Sequence, residues 1–181
     1  MKFIQKEHSD TLEVKKSKFI THICPYNEFK SMMDRLKSKH PKGRHFVYAY
    51  RYLNNFDQIV ENSSDDGEPK GTSGKPSLKV IQGNELINSA VIIIRYFGGT
   101  KLGTGGLVRA YSDAVNDVLE MSEFTPYVKL SSKKIKVVYS DLSKLEYWSL
   151  KSNVDCNERD FVADGVEIVL KATLEDLVTL K

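Results

Sequence analysis

Residues 91–119, VIIIRYFGGTKLGTGGLVRAYSDAVNDVL, restrict what this chain can fold into more than any other stretch. Residues 91–94 are an unbroken apolar run, the pattern of a strand covered on both faces. Arg95, Tyr96 and Phe97 lead into a loop holding Gly98, Gly99, Gly103, Gly105 and Gly106. That density frees the backbone for positive φ and for close approach to a ligand. Leu107, Ala110, Tyr111, Ala114, Val115 and Val118 then recur at steps of three and four, which predicts a helix with one apolar face. Strand, glycine loop and helix in that order form an anion-binding arrangement, because the first amides of a helix point outward at the positive end of its dipole. Lys101 and Arg109 add formal charge. Neither named phosphate motif fits, however. A P-loop needs Lys-Ser/Thr after its last glycine, where Thr104 and Gly105 stand, and a dinucleotide fingerprint starting at Gly103 needs glycine in place of Val108.

The 181 residues suffice for one domain with a good core or for two small ones. At 40% hydrophobic and 28% charged, the composition is that of an ordinary globular protein. No apolar run approaches a membrane span and residues 1–8 lack a signal-peptide core, so a cytoplasmic protein without membrane association is expected. Cys24 and Cys156 have neither a disulfide framework nor metal-ligand spacing, and both read as reduced and structural. The net charge of +3 is mildly basic and compatible with nucleic acid. Before Lys129 there are 18 basic and 15 acidic residues, and from Lys129 onward 9 of each, so the excess travels with the glycine loop.

Along the chain, residues 11–24 predict two short strands or one bent strand. Asn27 stands as N-cap to a helix with Phe29, Met32, Met33 and Leu36 on one face, ended by His40 and Pro41. Residues 45–52 predict a strand that pairs with residues 58–61 across an Asn54-Asn55 turn. Residues 62–76, NSSDDGEPKGTSGKP, have the composition of a flexible loop. A short helix follows from Pro76 to Gly83, and residues 86–94 form the buried strand. This first domain, residues 1–126, is an α/β (α+β) unit. Residues 129–181 restart the pattern with strands at 133–139, 154–162 and 166–170, an Asp164-Gly165 hairpin, and helices from Leu142 and Leu174. A βαββα run of this length is a ferredoxin-like half-sandwich without its last strand.

Two motifs, DDGEPKGTSGKP (residues 65–76) and RYFGGTKLGTGGLVRAYS (residues 95–112), closely resemble those of the YigZ/IMPACT family. KKSKFI (residues 15–20) and His45 with Ala49-Tyr50-Arg51 support the likeness. Together they cover most of residues 11–121; the family usually has alanine where Ser73 stands. The resemblance implies an N-terminal two-layer sandwich of the kind found in domain IV of elongation factor G. It also implies, for the bacterial type, a ferredoxin-like second domain similar to domain V of that factor. Because the chain stops where a final strand is expected, that second domain is either incomplete or closes its sheet on another chain, and its open edge invites pairing. Oligomeric state is otherwise undetermined by the sequence.

Function is expected to follow the charge. Arg44, His45, Tyr50, Arg51, Arg95, Tyr96, Lys101 and Arg109, with the amides of Gly98, Gly99, Gly103, Gly105 and Gly106, offer the guanidinium forks, helix-start donors and aromatic faces that RNA binding uses. The expected protein is therefore a non-catalytic RNA-binding or ribosome-associated factor linked to translation regulation. The alternatives are a phosphate-dependent enzyme using the glycine loop, or a protein-binding regulatory module, as the eukaryotic relatives implied by the resemblance are. No nucleophile and base stand at a defensible spacing, no catalytic residue is assigned, and no cofactor is expected. Asp65, Asp66 and Glu68 place three carboxylates within four residues, a set that either holds a metal ion or fixes the two glycine segments together through N–H groups and Arg95.

Overall fold

The computed structural model describes residues 1–152 and 154–178. They divide into two compact units, Met1–Tyr127 and a second beginning at Val128.

The first unit is built around the apolar run. Strand β6 (Ser89–Tyr96) is buried from Ser89 to Arg95, so it requires cover on both faces and a partner on each edge. It receives them as the central strand of a five-stranded antiparallel sheet of order β2-β3-β6-β4-β5, with β2 at His8–Val14, β3 at Ser17–Pro25, β4 at His45–Leu53 and β5 at Ile59–Ser64. Alternation along the strands sends Phe19, Ile23, Val47, Ala49, Val91 and Ile93 to one face. Helices α2 (Gly74–Gly83) and α3 (Gly103–Glu120) lie there, α3 through Leu107, Ala110, Tyr111, Ala114, Val115 and Val118. The opposite face holds Cys24, Phe46, Ala90, Ile92 and Ile94, which pack with Met32 and Leu36 of α1 (Phe29–Lys39). Sheet and helices thus make a mixed α/β unit, with α1 adding partial cover to the second face.

Two three-residue strands, β1 (Lys2–Ile4) and β7 (Phe124–Pro126), pair antiparallel outside the main sheet. Nothing in the local sequence marks either one. Residues 11–24 prove to be two strands joined by a turn at Lys15 and Lys16, both at positive φ (47° and 65°). Lysine is an unusual occupant of that conformation, so no Asn-Gly signal announced the turn. Asn27 does not cap α1: residues Tyr26–Glu28 form a turn of 3₁₀ helix, and Glu28 occupies the N-cap position without a side-chain hydrogen bond. The glycine loop is also shorter than expected. Helix α3 begins at Gly103, so Gly103, Gly105 and Gly106 form its first turn, where the buried face that starts at Leu107 outweighs the weak helix propensity of glycine.

In the second unit, β8 (Ser131–Val137), β9 (Asp155–Val162) and β10 (Gly165–Ala172) form an antiparallel sheet of order β8-β10-β9. Helices α4 (Leu142–Lys151) and α5 (Leu174–Val178) supply Leu142, Leu145, Trp148 and Leu177 to a core with Val166, Ile168 and Leu170. This is the strand order of the first three strands of a ferredoxin-like sheet. The hairpin turn falls one residue earlier than expected, because Gly165 already pairs with Val162; a Cβ on Gly165 would overlap the Val137 carbonyl. The expected lack of a closing strand concerns residues 179–181, which lie outside the described residues.

Candidate anion-binding site

Residues 62–76 are not the loose loop their composition suggests, because one carboxylate organises them. Oδ1 of Asp65 accepts the Ser73 hydroxyl (2.7 Å) and the amides of Ser73 (3.1 Å) and Gly74 (2.8 Å), while Oδ2 accepts the Gly71 amide (2.7 Å). Burial opposes the charge, but these donors outweigh it and hold the Asp65 carboxyl below its usual range. The start of α2 is satisfied from nine residues away. Ser73, the departure from the family's alanine, is buried and makes one of these bonds with its hydroxyl.

Asp66 and Glu68 turn elsewhere, so the three acids do not converge. Asp66 Oδ2 accepts the Phe46 amide (2.6 Å), and the Asp66 carbonyl accepts a bond from His45 Nδ1 (2.8 Å). A carbonyl only accepts, so that ring nitrogen carries the proton. Glu68 is buried, and its Oε1 accepts both Arg95 Nη1 (2.7 Å) and the Tyr111 hydroxyl (2.8 Å). His45 Nε2 stands 3.9 Å from the same oxygen. The register explains the meeting: Phe19, Arg95 and His45 are direct neighbours across β3, β6 and β4, on the face that α3 covers with Tyr111. Burial first, and then the Glu68 carboxylate, pushes the Tyr111 phenol up, which keeps it a neutral donor. Among the described residues, no three His, Cys, Asp or Glu side chains are placed to hold a metal ion. Of the two loop-fixing contacts expected, Arg95 with Glu68 is present; the amide donors come from residues 71–74 and Phe46, not from the second glycine segment.

Beside the Glu68–Arg95 pair, a cleft of about 260 Å³ is lined by Pro69, Phe97, Lys101, Leu102, Gly103 and Thr104 in addition to the pair itself. The first turn of α3 opens here without a side-chain cap and without an acidic residue. A second groove, about 420 Å³, runs between α2 and α3 and is lined by Lys75, Lys79, Val108 and Ser112 among others. Charge is laid out against the helix dipole on both helices. Lys75 lies in the first turn of α2 and Arg109 in the second turn of α3, while Asp117 and Glu120 crowd the far end of α3, with Asp113 one turn before Asp117. The crowding is felt: burial, then Asp10, Asp113 and Glu120, raise the Asp117 carboxyl above its ordinary value.

The predicted residues fall into separate places. His45, Arg51 and Arg95 share the helix-covered face, whereas Tyr50 and Tyr96 project from the other one. Tyr50 packs among Tyr26, Phe29, Tyr48 and Tyr52, and the Tyr96 hydroxyl pairs with His40 Nδ1 (3.0 Å). Arg51 is occupied by Glu61 (2.5 Å) and the Leu86 carbonyl (2.9 Å). Arg44 is exposed just before β4. Gly98 packs where a Cβ would overlap the Lys16 backbone, and its amide donates to Ser17 Oγ (3.1 Å); Gly99 follows at φ 89°. Lys101, Gly103, Gly105 and Arg109 are exposed along the start of α3, with Gly106 partly covered. Lys75, Lys79, Phe97 and the polar role of Tyr111 went unread in the sequence. The i, i+4 spacing of the two lysines on α2 was the available signal. A larger cavity, about 460 Å³, is lined by Tyr26, Tyr52 and Asn88 among others, but its charged lining residue is Glu28, which disfavours an anion.

Residues 15–119 match the Impact N-terminal domain family. The chain is 36% identical over 155 residues to an IMPACT family member of Haemophilus influenzae, covering 84% of this chain and 75% of that protein. It is 35% identical over 137 residues to the IMPACT family member YigZ of Escherichia coli, covering 74% of this chain and 67% of that one. A crystal structure of a hypothetical protein superposes with a TM-score of 0.72 at 28% identity, covering 98% of this chain and 87% of that one.

Proposed function

The chain belongs to the IMPACT family, and from that premise we propose that it is a non-catalytic, cytoplasmic RNA-binding protein, associated with the ribosome and acting in translation regulation. The observation that carries this reading is the reversed charge on α2 and α3. Cations near helix starts and acids near a helix end weaken the helices themselves, by about 0.3 to 1 kcal/mol per misplaced charge near a terminus. A phosphate backbone lying along the helix starts turns that cost into attraction, since Lys75, Lys79, Lys101 and Arg109 are all exposed. The non-catalytic part of the reading is supported by contacts among the polar groups around Arg95: Glu68 is shared by Arg95 and Tyr111, and His45 is bonded to the Asp66 backbone. No helix of the described residues is long and apolar enough to cross a membrane.

Single-stranded RNA titrated over a salt series tests the proposal. Four neutralised phosphates at about 0.7 each predict that log affinity falls against log salt with a slope of roughly 3. Alanine at Lys75, Lys79, Lys101 and Arg109 together should abolish most of that slope. Arg51→Ala should leave it in place, because Glu61 already occupies that guanidinium. Undiminished binding by the fourfold variant would refute the proposal and leave a protein partner as the better reading.

A further inference from the structure

Arg95 offers more donors than the protein uses. Its Nη1 donates to Glu68, but its Nε is buried without a hydrogen-bond partner, in a residue only 6% exposed. Buried donors are rarely left so, and an orphan calls for a specific occupant nearby. Arg95 is also a lining residue of the cleft into which the uncapped first turn of α3 opens. Two independent features, an under-satisfied buried cation and a run of free helix amides, therefore border one small space.

We propose that this cleft receives the terminal phosphate of a single-stranded RNA, with Arg95 at its floor, Lys101 and the α3 amides beside it, and Phe97 stacking the terminal base. The inference rests on the RNA reading above and names the part of the strand that enters. Size argues for a single group: about 260 Å³ is below the roughly 300 to 1,000 Å³ of sites that enclose a whole small ligand. Depth argues for an end, because an anion must descend to a nearly covered guanidinium, and a phosphodiester held between two sugars is poorly shaped for that. Charge argues for a dianion. Glu68 meets part of the Arg95 charge, yet Lys101 and the helix start leave the cleft net positive. Phe97 supplies the nucleotide. It is 49% exposed, borders the cleft, and lies with its ring centroid 5.7 Å from the Arg95 guanidinium carbon, so a base stacked on it would place its own phosphate beside Arg95.

The full chain is titrated with one oligoribonucleotide in three forms, carrying a 5′-phosphate, a 3′-phosphate or hydroxyls at both ends, and with inorganic phosphate as competitor. At least one phosphorylated form should bind about tenfold tighter than the hydroxyl form, the scale of one charge-assisted contact. Which form gains identifies the source of the phosphate, and inorganic phosphate should erase the gain. The ratio of phosphorylated to hydroxyl affinity, taken within each variant, should fall to about one in Arg95→Lys. Because Arg95 is buried, Phe97→Ala provides the second test at an exposed position, and its ratio should fall as well. Equal binding of all three forms overturns the inference while the RNA reading stands, as does a gain that survives in Phe97→Ala and in a folded Arg95→Lys. Failure of every form to bind removes the RNA reading and the inference with it.

Discussion

Replacing Glu68 by alanine strips a buried guanidinium of its counter-charge. The Glu68 side chain is 3% exposed and that of Arg95 8%, so water cannot take over the lost contact without rearrangement. Removing one partner of such a pair costs about 3 to 5 kcal/mol, most of it the penalty of the abandoned charge. Tyr111 loses its acceptor in the same step. The first unit extends from Met1 to Tyr127. At about 2.1 cal/mol/K per residue its unfolding entropy is roughly 270 cal/mol/K, so a 4 kcal/mol loss lowers the melting temperature by about 15 °C. Glu68→Gln keeps the shape and an acceptor for both donors but removes the charge, and should cost about half as much. The single tryptophan, Trp148, packs in the second unit, so the transition of the first is followed by far-UV ellipticity in urea and on heating. A loss under about 1 kcal/mol in Glu68→Ala, or equal losses in the alanine and glutamine variants, would refute the argument that a buried charge is being stranded.

Gly98→Ala should destabilise by about 1 to 3 kcal/mol, since the added Cβ meets the Lys16 backbone rather than a movable side chain; urea denaturation of the variant checks this. Asp117→Asn should stabilise by about 0.3 to 1 kcal/mol at neutral pH, measured in the same way, because it relieves a carboxylate pressed by Asp10, Asp113 and Glu120 near the end of α3. His22 is held below its ordinary value of 6.5 chiefly by burial, against the opposing bond from Glu7 (2.8 Å). As pH falls below about 6.5 the unfolded chain therefore takes up a proton that the folded chain refuses, and stability drops on acidification in that window. Glu7, whose burial is outweighed by Arg35 and His22 so that its carboxyl is lowered, adds a further loss below about 4.5. Chemical denaturation between ~pH 4 and 8 should show both falls in wild type, and His22→Gln should shrink the upper one to the part left by His40, which burial first and then Lys39 also hold below 6.5.

The parts of the fold that were legible in the sequence are those with short-range cause. The apolar run of β6 and the stepwise apolar face of α3 declare themselves within a few turns of chain. His45 and Tyr50 were expected in one RNA-binding groove, yet alternation along β4 puts odd and even positions on different faces and so separates them. Other features had no local signature. Glu68 meets Arg95 and Tyr111 across 27 and 43 positions, and no spacing rule connects them. Asp65 reads as one of three exposed acids until the amides of residues 71–74 fold back onto it. The turn at Lys15 and Lys16 uses residues that sterics disfavours there, so propensity pointed away from it.

The pairing of β1 with β7 sets an order of events during synthesis. Ile4, 1% exposed in the finished unit, pairs with Phe124, 120 positions later. At about 5 to 20 residues per second, a growing chain waits roughly 6 to 24 seconds between making the first strand and making its partner. Hairpins such as β2 with β3 form in about 1 to 10 microseconds and need no such delay. The exit from the ribosome thus presents a long-lived intermediate with its sheet largely assembled and one apolar strand still without its antiparallel mate. A fragment cut to residues 1–119 would make that state permanent, keeping β1 but losing β7, and should be prone to aggregate where the whole first unit is not.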